Sequence, residues 1–591
     1  MSRGFVPRHA WDAVLEVRKG SRVHLRRVSP SARRYKLPQH ESWSMKYDMA
    51  RLTLMLLETE GVLVAQFNSQ HWNCLKRSLG LDWKVSFVPE AWHTRNQRIS
   101  RRKQLETVYY NQTLRSTIPA LWGKMHDYQK TGVSFALALM DMGETHGCLI
   151  ADEMGLGKTL QGLAVCKHLF QTKKDRVRCC VVCPGYLRAN WDSEITKWGV
   201  LDSFDQHRPQ TMIKLLDRPS QNEGSSPIVL VSYRWMRENY ECLSDFDLVI
   251  FDECHLLKNG HHTRDRDCSL RYLAARELVK KVKFCLMLTG TPAPNCPKEM
   301  YAILHLCGAL PQMKWAEYAF RYSKRYFSTM FFGWDDDGTS AEEELKQLQE
   351  FSCIRRLAKD WLVGLPDEMR SFVTLPLHKK GKLQKLAKER NALLEKLQNG
   401  ALTDAERSKY SKMLRFNRTK ALVASAEAKN KSFKQYFQQY LKDHPFERGA
   451  QPFIVFAYHE KTIDTLVTMF EELGVSIDAV YGGTSKLLVP DIIGKFQRGQ
   501  LNVLILSLAM CAGLNLQRAS TAFFAEVTWS PGVLAQAEKR IHRQGSEHAR
   551  VHYVYLFGEP PAICADVYRK CQNKCMKLNK TLRDVKRRKI N

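Results

Sequence analysis

CLIADEMGLGKTLQGLAV, Cys148–Val165, is the stretch on which the fold turns. Its opening apolar run reads as a short buried strand, and a glycine-bearing turn then leads directly into a helix. A strand, such a turn and a helix N-terminus gather successive backbone amides around one point, which is where the phosphates of ATP belong. Gly155 and Gly157 let the backbone approach the phosphates, Lys158 reaches the β and γ oxygens, and the Thr159 hydroxyl is a ligand for Mg²⁺. The loop Asp152, Glu153, Met154, Gly155, Leu156, Gly157, Lys158 and Thr159 is therefore the candidate ATP-binding segment. One position departs from the general pattern: Asp152 stands where a glycine is expected, five positions before Gly157.

Downstream, DLVIFDECH, Asp247–His255, is an apolar strand ending in adjacent carboxylates. At a strand C-terminus Asp252 can hold Mg²⁺, and Glu253 can orient and polarise an attacking water. An isolated Asp-Glu after a strand is more often a helix cap. Its position after a phosphate loop in the same α/β run reverses that reading.

The apolar runs CLIAD, RCCVVCPG, PIVLVSY, DLVIFDE and KFCLMLTG are short, β-branched-rich and separated by helix-length stretches, as in βαβ units with a buried parallel sheet. Residues 376–445, including KLQKLAKERNALLEKLQ, have apolar spacings of three and four and read as an all-helical insertion. Strand-like runs then resume with PFIVFAYH, DAVYGG, NVLILSL, TAFFAEV and VHYVYLF. The expected architecture is α/β: two RecA-like parallel-sheet lobes with helical insertions, a small basic N-terminal module and a basic helical C-terminal extension. The expected boundaries are 1–118 for the module, 119–375 for the first lobe with a helical protrusion near 300–350, 376–445 for the insertion, 446–560 for the second lobe and 561–591 for the extension. Within the module, Thr53–Phe67 reads as a helix or strand, a turn at Gly61, then a strand.

The 591 residues carry 91 Lys and Arg against 61 Asp and Glu, a net charge of +30, which suits a polyanionic partner. The excess sits at the ends: 21 basic and 9 acidic residues in 1–118, and 10 against 2 in 565–591. No apolar run is long enough to span a bilayer, so a soluble chain without a membrane role is expected. Seventeen cysteines without a signal peptide point to reduced thiols, and no pair of C-x-x-C knuckles suggests zinc.

DEMGLGKT, DECH and LTGTPAPN, in that order, resemble the Swi/Snf group of superfamily-two helicase-like ATPases. FFAEVTWSPGVLAQAEKRIHRQG, Phe523–Gly545, looks like the last motif of that group, and FIVFAYHEKTID like the first strand of its second lobe. Together with IRRLAKDWLVGLP, these segments look most similar to the annealing helicases, the HepA-related protein and its zinc-finger Ran-binding-domain relative.

The resemblance implies roles. Gln129 in HDYQKTGV would read adenine, and Gln536 would face the cleft. Arg540 and Arg543, spaced to share a helix face, would act as arginine fingers reaching the γ-phosphate across the lobes. Thr289 and Thr291 would contact the carboxylate pair or the nucleic-acid backbone, while CPGYLRANW and SLAMCAGLNLQRAS, the latter with Ala512 and Gly513, match tracking-strand motifs. The last motif ends His542, Arg543, Gln544, Gly545, Ser546 where the group has H-R-I-G-Q, and 1–118 match no known module of the subgroup.

The function expected from the resemblance is a monomeric, DNA-dependent ATPase that translocates on double-stranded DNA and reanneals or remodels it at forks or other branched structures. A single-strand-binding protein or chromatin would be its companion. The alternatives are a nucleosome or protein–DNA remodelling ATPase and, more distantly, an inactive DNA-binding scaffold. KRRK, Lys586–Lys589, suits a nuclear address, whereas the Arg-rich first 36 residues suit a mitochondrion or another DNA-containing organelle.

Overall fold

The computed structural model describes the chain from Glu90 to Val585, except for 174–176, 203–212, 217–226, 259, 261–267, 399–401, 447–450, 486–487, 512 and 583. Within 311–341 it describes Trp315, Tyr318, Tyr322 and two strands, and before Glu90 only four strands. Those four are β1 (Asp12–Val17), β2 (Val23–His24), β3 (Leu54–Leu57) and β4 (Val62–Gln66), an antiparallel sheet in the order β2-β1-β4-β3. The ambiguous segment before Gly61 is thus a strand, paired with β4.

The first large sheet contains β5 (Gly147–Ile150), β6 (Cys179–Cys183), β7 (Ile213–Leu216), β8 (Ile228–Ser232), β9 (Leu248–Asp252) and β10 (Phe284–Leu288). A hairpin, β11 (Lys324–Ser328) with β12 (Phe331–Asp335), follows. The expected protrusion near 300–350 is therefore not purely helical: the aromatic-rich segments KRYFS and FFGWD pair as strands between the helices Met300–Leu306 and Glu342–Ser352. The two-residue strand β13 (Cys353–Ile354) returns to the sheet, whose order is β13-β5-β10-β9-β6-β8-β7. Every pairing in it is parallel. Its strands are buried on both faces: Cys148 and Ile150 enter one core with Leu163 and Trp191, while Leu149 enters another with Val182 and Tyr272. Two apolar faces are the reason these strands read as unbroken apolar runs.

The second sheet, also wholly parallel, runs β14 (Asp367–Leu375), β19 (Arg550–Gly558), β18 (Thr521–Phe524), β15 (Phe453–Ala457), β17 (Val503–Ser507) and β16 (Ile477–Val480). This moves one expected boundary. Residues 367–375 belong to the second sheet, because all nine residues of β14 register against β19. Between β14 and β15 lie the helices Gly381–Gln398 and Asp404–Asp443, the latter opened by a capping box between Thr403 and Glu406.

The C-terminal helix, Cys564–Thr581, serves both lobes. Val567, Tyr568 and Cys571 enter the second-lobe core, whereas Leu578 and the following Leu582 pack with Tyr301, Tyr318, Tyr322 and Leu345 of the first. Beyond it, Gln349 donates to the Thr581 carbonyl (3.0 Å), Val585 N–H to the Arg355 carbonyl (2.7 Å), and Arg355 pairs with Asp584. The segment expected to be a basic extension is thus also an apolar tie. Leu578→Ala removes a buried side chain from that tie and is expected to cost about 2–5 kcal/mol in urea unfolding. No helix among the described residues is long and apolar enough to cross a membrane.

Candidate active site

The phosphate loop leaves β5 and enters the Lys158–Lys173 helix, so Lys158 and Thr159 occupy that helix's first turn. Gly155 and Gly157 have φ of +87° and +72°, the left-handed region that favours glycine. At Gly157 a Cβ would also lie 2.3 Å from Gln129 Nε2. The Lys158 ammonium donates to the Asp152 carbonyl (2.8 Å) and lies 3.4 Å from that of Glu153, so it is held within its own loop. Burial lowers its pKa, opposed by the charges of Glu253, Asp152 and Asp252.

Asp152 and Glu153 anchor the loop rather than line it. The Asp152 carboxylate, fully buried, accepts from Gln161 Nε2 (2.9 Å) and lies 3.3 Å from Nε of Arg356, itself buried. The Asp152 side chain, expected among the ATP-binding residues, is turned toward the Arg356 cation. Glu153 accepts from Ala358 N–H (2.7 Å), and Leu156 packs with Tyr128, Ala358 and Leu362. Arg356→Met would leave the Asp152 carboxylate buried without its counter-charge, an expected cost of about 3–5 kcal/mol in unfolding free energy. Adding Asp152→Asn should recover most of it.

Gln129 is the third residue of the Asp127–Met142 helix. Its Oε1 accepts from His126 N–H (3.0 Å) and its Nε2 donates to the Leu156 carbonyl (3.3 Å). Its amide therefore fastens helix to loop in this conformation instead of standing open to a base.

Asp252, at the end of β9, accepts from Trp191 Nε1 (2.9 Å) and from Glu253 N–H (2.9 Å). Burial, then the charge of Glu253, lifts the Asp252 carboxyl to about 6. Glu253 takes the left-handed conformation, φ +52°, a strained choice for a non-glycine residue that throws it out of line with the strand. Burial alone would raise its pKa; the His255 interaction, with the charges of Lys158 and Arg540, outweighs that and brings it to about 2.

His255 has no role in the sequence reading, although it ends the quoted DECH. Its Nδ1 lies 3.2 Å from Glu253 Oε2 and 3.0 Å from Thr289 Oγ1. Thr289 in turn accepts from Thr291 N–H (3.1 Å), and Thr291 Oγ1 accepts from Gln536 Nε2 (3.2 Å), across the cleft. A chain of contacts thus runs from the first-lobe carboxylate to the second lobe. Thr289 is fully buried, which removes the reading of it as a nucleic-acid contact in this form.

Arg540 reaches the same cleft. Its Nε donates to the Gln536 carbonyl (2.9 Å), Nη1 to that of Leu514 (3.1 Å), and Nη2 lies 3.2 Å from Met154 Sδ in the phosphate loop. The helix Pro531–Glu538 ends before both arginines, so they do not share a helix face. Lys539 and Arg540 form a turn, and the Arg540 carbonyl accepts from Leu516 N–H (3.2 Å) instead of continuing the helix. Arg543 bonds to Asn515 and the Lys539 carbonyl, both in the second lobe. The structure brings Arg540, not Arg543, to the loop.

Gly513, with φ +72°, faces Leu187: a Cβ there would sit 2.3 Å from Leu187 Cδ2. The two tracking motifs touch each other at this point, so Gly513 is packed rather than open to phosphate. Ala512 lies outside the described residues.

With this geometry in view, the sequence matches two family models: the SNF2-related domain over residues 128–433 and the helicase conserved C-terminal domain over 432–545. The chain belongs to the SNF2-related family. Among curated SNF2-related proteins, the SWI/SNF-related matrix-associated actin-dependent regulator of chromatin subfamily A-like protein 1 of Xenopus tropicalis is 31% identical over 445 residues, covering 74% of this chain and 43% of the relative. The human DNA annealing helicase and endonuclease ZRANB3 is 28% identical over 454 residues, covering 74% and 39%. The chain spans less than half the length of these relatives. A solved Sulfolobus solfataricus SWI2/SNF2 ATPase core in complex with dsDNA aligns with 77% of this chain and 96% of its own, at 21% identity and a TM-score of 0.35.

The SNF2-related core has donors that fit ATP and Mg²⁺. Two adjacent buried carboxylates, Asp252 and Glu253, are oxygen donors suited to a hard cation, and the Thr159 hydroxyl, in the first turn of the helix after the loop, is a third. Loop amides and Lys158 supply positive potential for phosphate.

Proposed function

We propose that the chain is an ATP-driven translocase on double-stranded DNA that reanneals or remodels branched DNA, with the nucleotide held between its lobes. The observation that carries this is the paired contact across the cleft, Arg540 to Met154 and Gln536 to Thr291, which makes the site a product of both lobes. Lys158 and the loop amides bind the phosphates, and Asp252 with Thr159 holds Mg²⁺. The ion, when bound, neutralises charge developing on the phosphate oxygens. Glu253 orients the attacking water. The His255 interaction and the charges of Lys158 and Arg540 hold it as a carboxylate, the form that aligns and polarises that water. Arg540 stabilises the transferring phosphoryl group only while the lobes are together. Its separation when they open couples hydrolysis to movement along the backbone, and sequence-neutral phosphate contacts suit such a machine.

The printed name of the human relative, a DNA annealing helicase, favours reannealing; that of the frog relative, a regulator of chromatin, favours nucleosome remodelling. Both suit a nuclear address. A bubble coated with single-strand-binding protein and a positioned nucleosome, each given with ATP, separate the two. Reannealing of the bubble without nucleosome sliding is the expected outcome; sliding without reannealing overturns the branched-DNA reading.

A further inference from the structure

The C-terminal helix has a cationic face that the cleft does not use. Asn417 donates to the Leu386 carbonyl (3.1 Å) and to Glu389 Oε2 (3.2 Å), which fixes the register of the two insertion helices. Arg418 follows Asn417, and Arg390 lies one turn beyond Leu386, so the two cations meet. Ile563 N–H donates to Ser425 Oγ (3.3 Å), which docks the start of the C-terminal helix on the same insertion. Arg418 lies two turns before Ser425 and Lys570 two turns after Ile563, each on the face of its contact residue. Lys574 extends the row by one more turn.

None of Arg390, Arg418, Lys570 and Lys574 is in an ion pair or a side-chain hydrogen bond among the described residues, while nearby Asp566 is engaged with Arg569 at 3.4 Å. Burial, followed by the charges of Arg418, Arg390 and Lys574, lowers the pKa of Lys570, with Asp566 opposing. Burial and Arg390 do the same to Arg418. Four mutually repelling cations fixed by packed helices are a standing electrostatic cost that an external polyanion would relieve.

We propose that Arg390, Arg418, Lys570 and Lys574 form a second phosphate-backbone site for DNA, on the two insertion helices and the C-terminal helix and separate from the ATP cleft. The net charge of +30, with 10 basic against 2 acidic residues in 565–591, and the DNA-translocase reading favour nucleic acid over an acidic protein. The site rests on the DNA-translocase reading and deepens it: carried by the insertion and by the helix that ties the lobes, outside the ATP cleft, it would hold a second arm of a branched substrate.

The test is equilibrium binding of forked DNA over a salt series by the full chain, comparing wild type with the fourfold variant Arg390→Gln, Arg418→Gln, Lys570→Gln, Lys574→Gln. Each lost phosphate contact lowers the slope of log affinity against log salt by about 0.9, so a drop of about 2–4 is expected. The charge-preserving set Arg390→Lys, Arg418→Lys, Lys570→Arg, Lys574→Arg should retain the wild-type slope. Arg418→Gln and Lys570→Gln singly, each expected to lower it by about one, keep the test decisive if the fourfold variant folds poorly. A wild-type slope in the neutralised variants overturns the site, as does selective loss of polyglutamate binding with DNA binding intact. A wild-type protein that binds no DNA overturns the translocase reading itself, a distinguishable result.

Discussion

Glu253→Gln is expected to lower ATP turnover by about 10²–10⁴-fold while leaving ATP binding largely intact. The substitution keeps the size and the left-handed backbone of the residue and removes only the anion. That anion is the end point of the arrangement: His255 lies 3.2 Å from it, and the charges of Lys158 and Arg540 keep it ionised far below neutral pH. A glutamine amide still contacts a water but neither polarises it comparably nor attracts Lys158 and Arg540. Binding should survive because the phosphates are held by the loop, not by this side chain. Steady-state turnover and equilibrium ATP binding on one preparation check both halves. Parallel loss of binding would show that Glu253 holds the loop rather than aligning the water.

Arg540→Ala is expected to cost about 10³–10⁵-fold in turnover, the range seen when an arginine finger is removed. Three of the five guanidinium N–H groups are engaged, with Gln536, Leu514 and Met154, which leaves two for a phosphoryl oxygen. Only the Met154 contact crosses the lobes, so Arg540 is anchored on one lobe and acts on the other. Arg540→Lys should recover little, because an ammonium does not reproduce the fork. Arg540 is 1% exposed, so thermal unfolding and ATP binding should be measured alongside. Arg543→Ala is the discriminating partner: its bonds stay within the second lobe, and a much smaller effect on turnover is expected.

The strands that carry the cleft were legible because both their faces are buried, which leaves a continuous apolar run such as CLIAD or NVLILSL. β14 was not: it is the edge of its sheet, exposed over its first four residues, and the helical insertion separates it from the other strands of that sheet. The phosphate loop was legible from local chemistry, while the meaning of Asp152 was hidden in its partner Arg356, far along the chain. His255 stood in plain view beside the carboxylates. Its link to Thr289, and through Thr291 to Gln536, exists only once two sheets and two lobes are assembled. The spacing of Arg540 and Arg543 suggested a shared helix face; the helix ends at Glu538, and the Arg540 carbonyl accepts from distant Leu516 N–H, a partner that spacing does not show. Charge at the C-terminus pointed to phosphate, and gave no sign that Leu578 and Leu582 tie one lobe to the other.

The central claim is that ATP is hydrolysed at a site completed by closure of the two lobes, and that duplex DNA promotes this closure. ATP turnover of the wild-type chain, measured with and without saturating duplex DNA and repeated in Arg540→Ala, tests it most directly. The expected result is strong stimulation by duplex in the wild type and none in the variant. A wild-type rate indifferent to DNA would contradict the account.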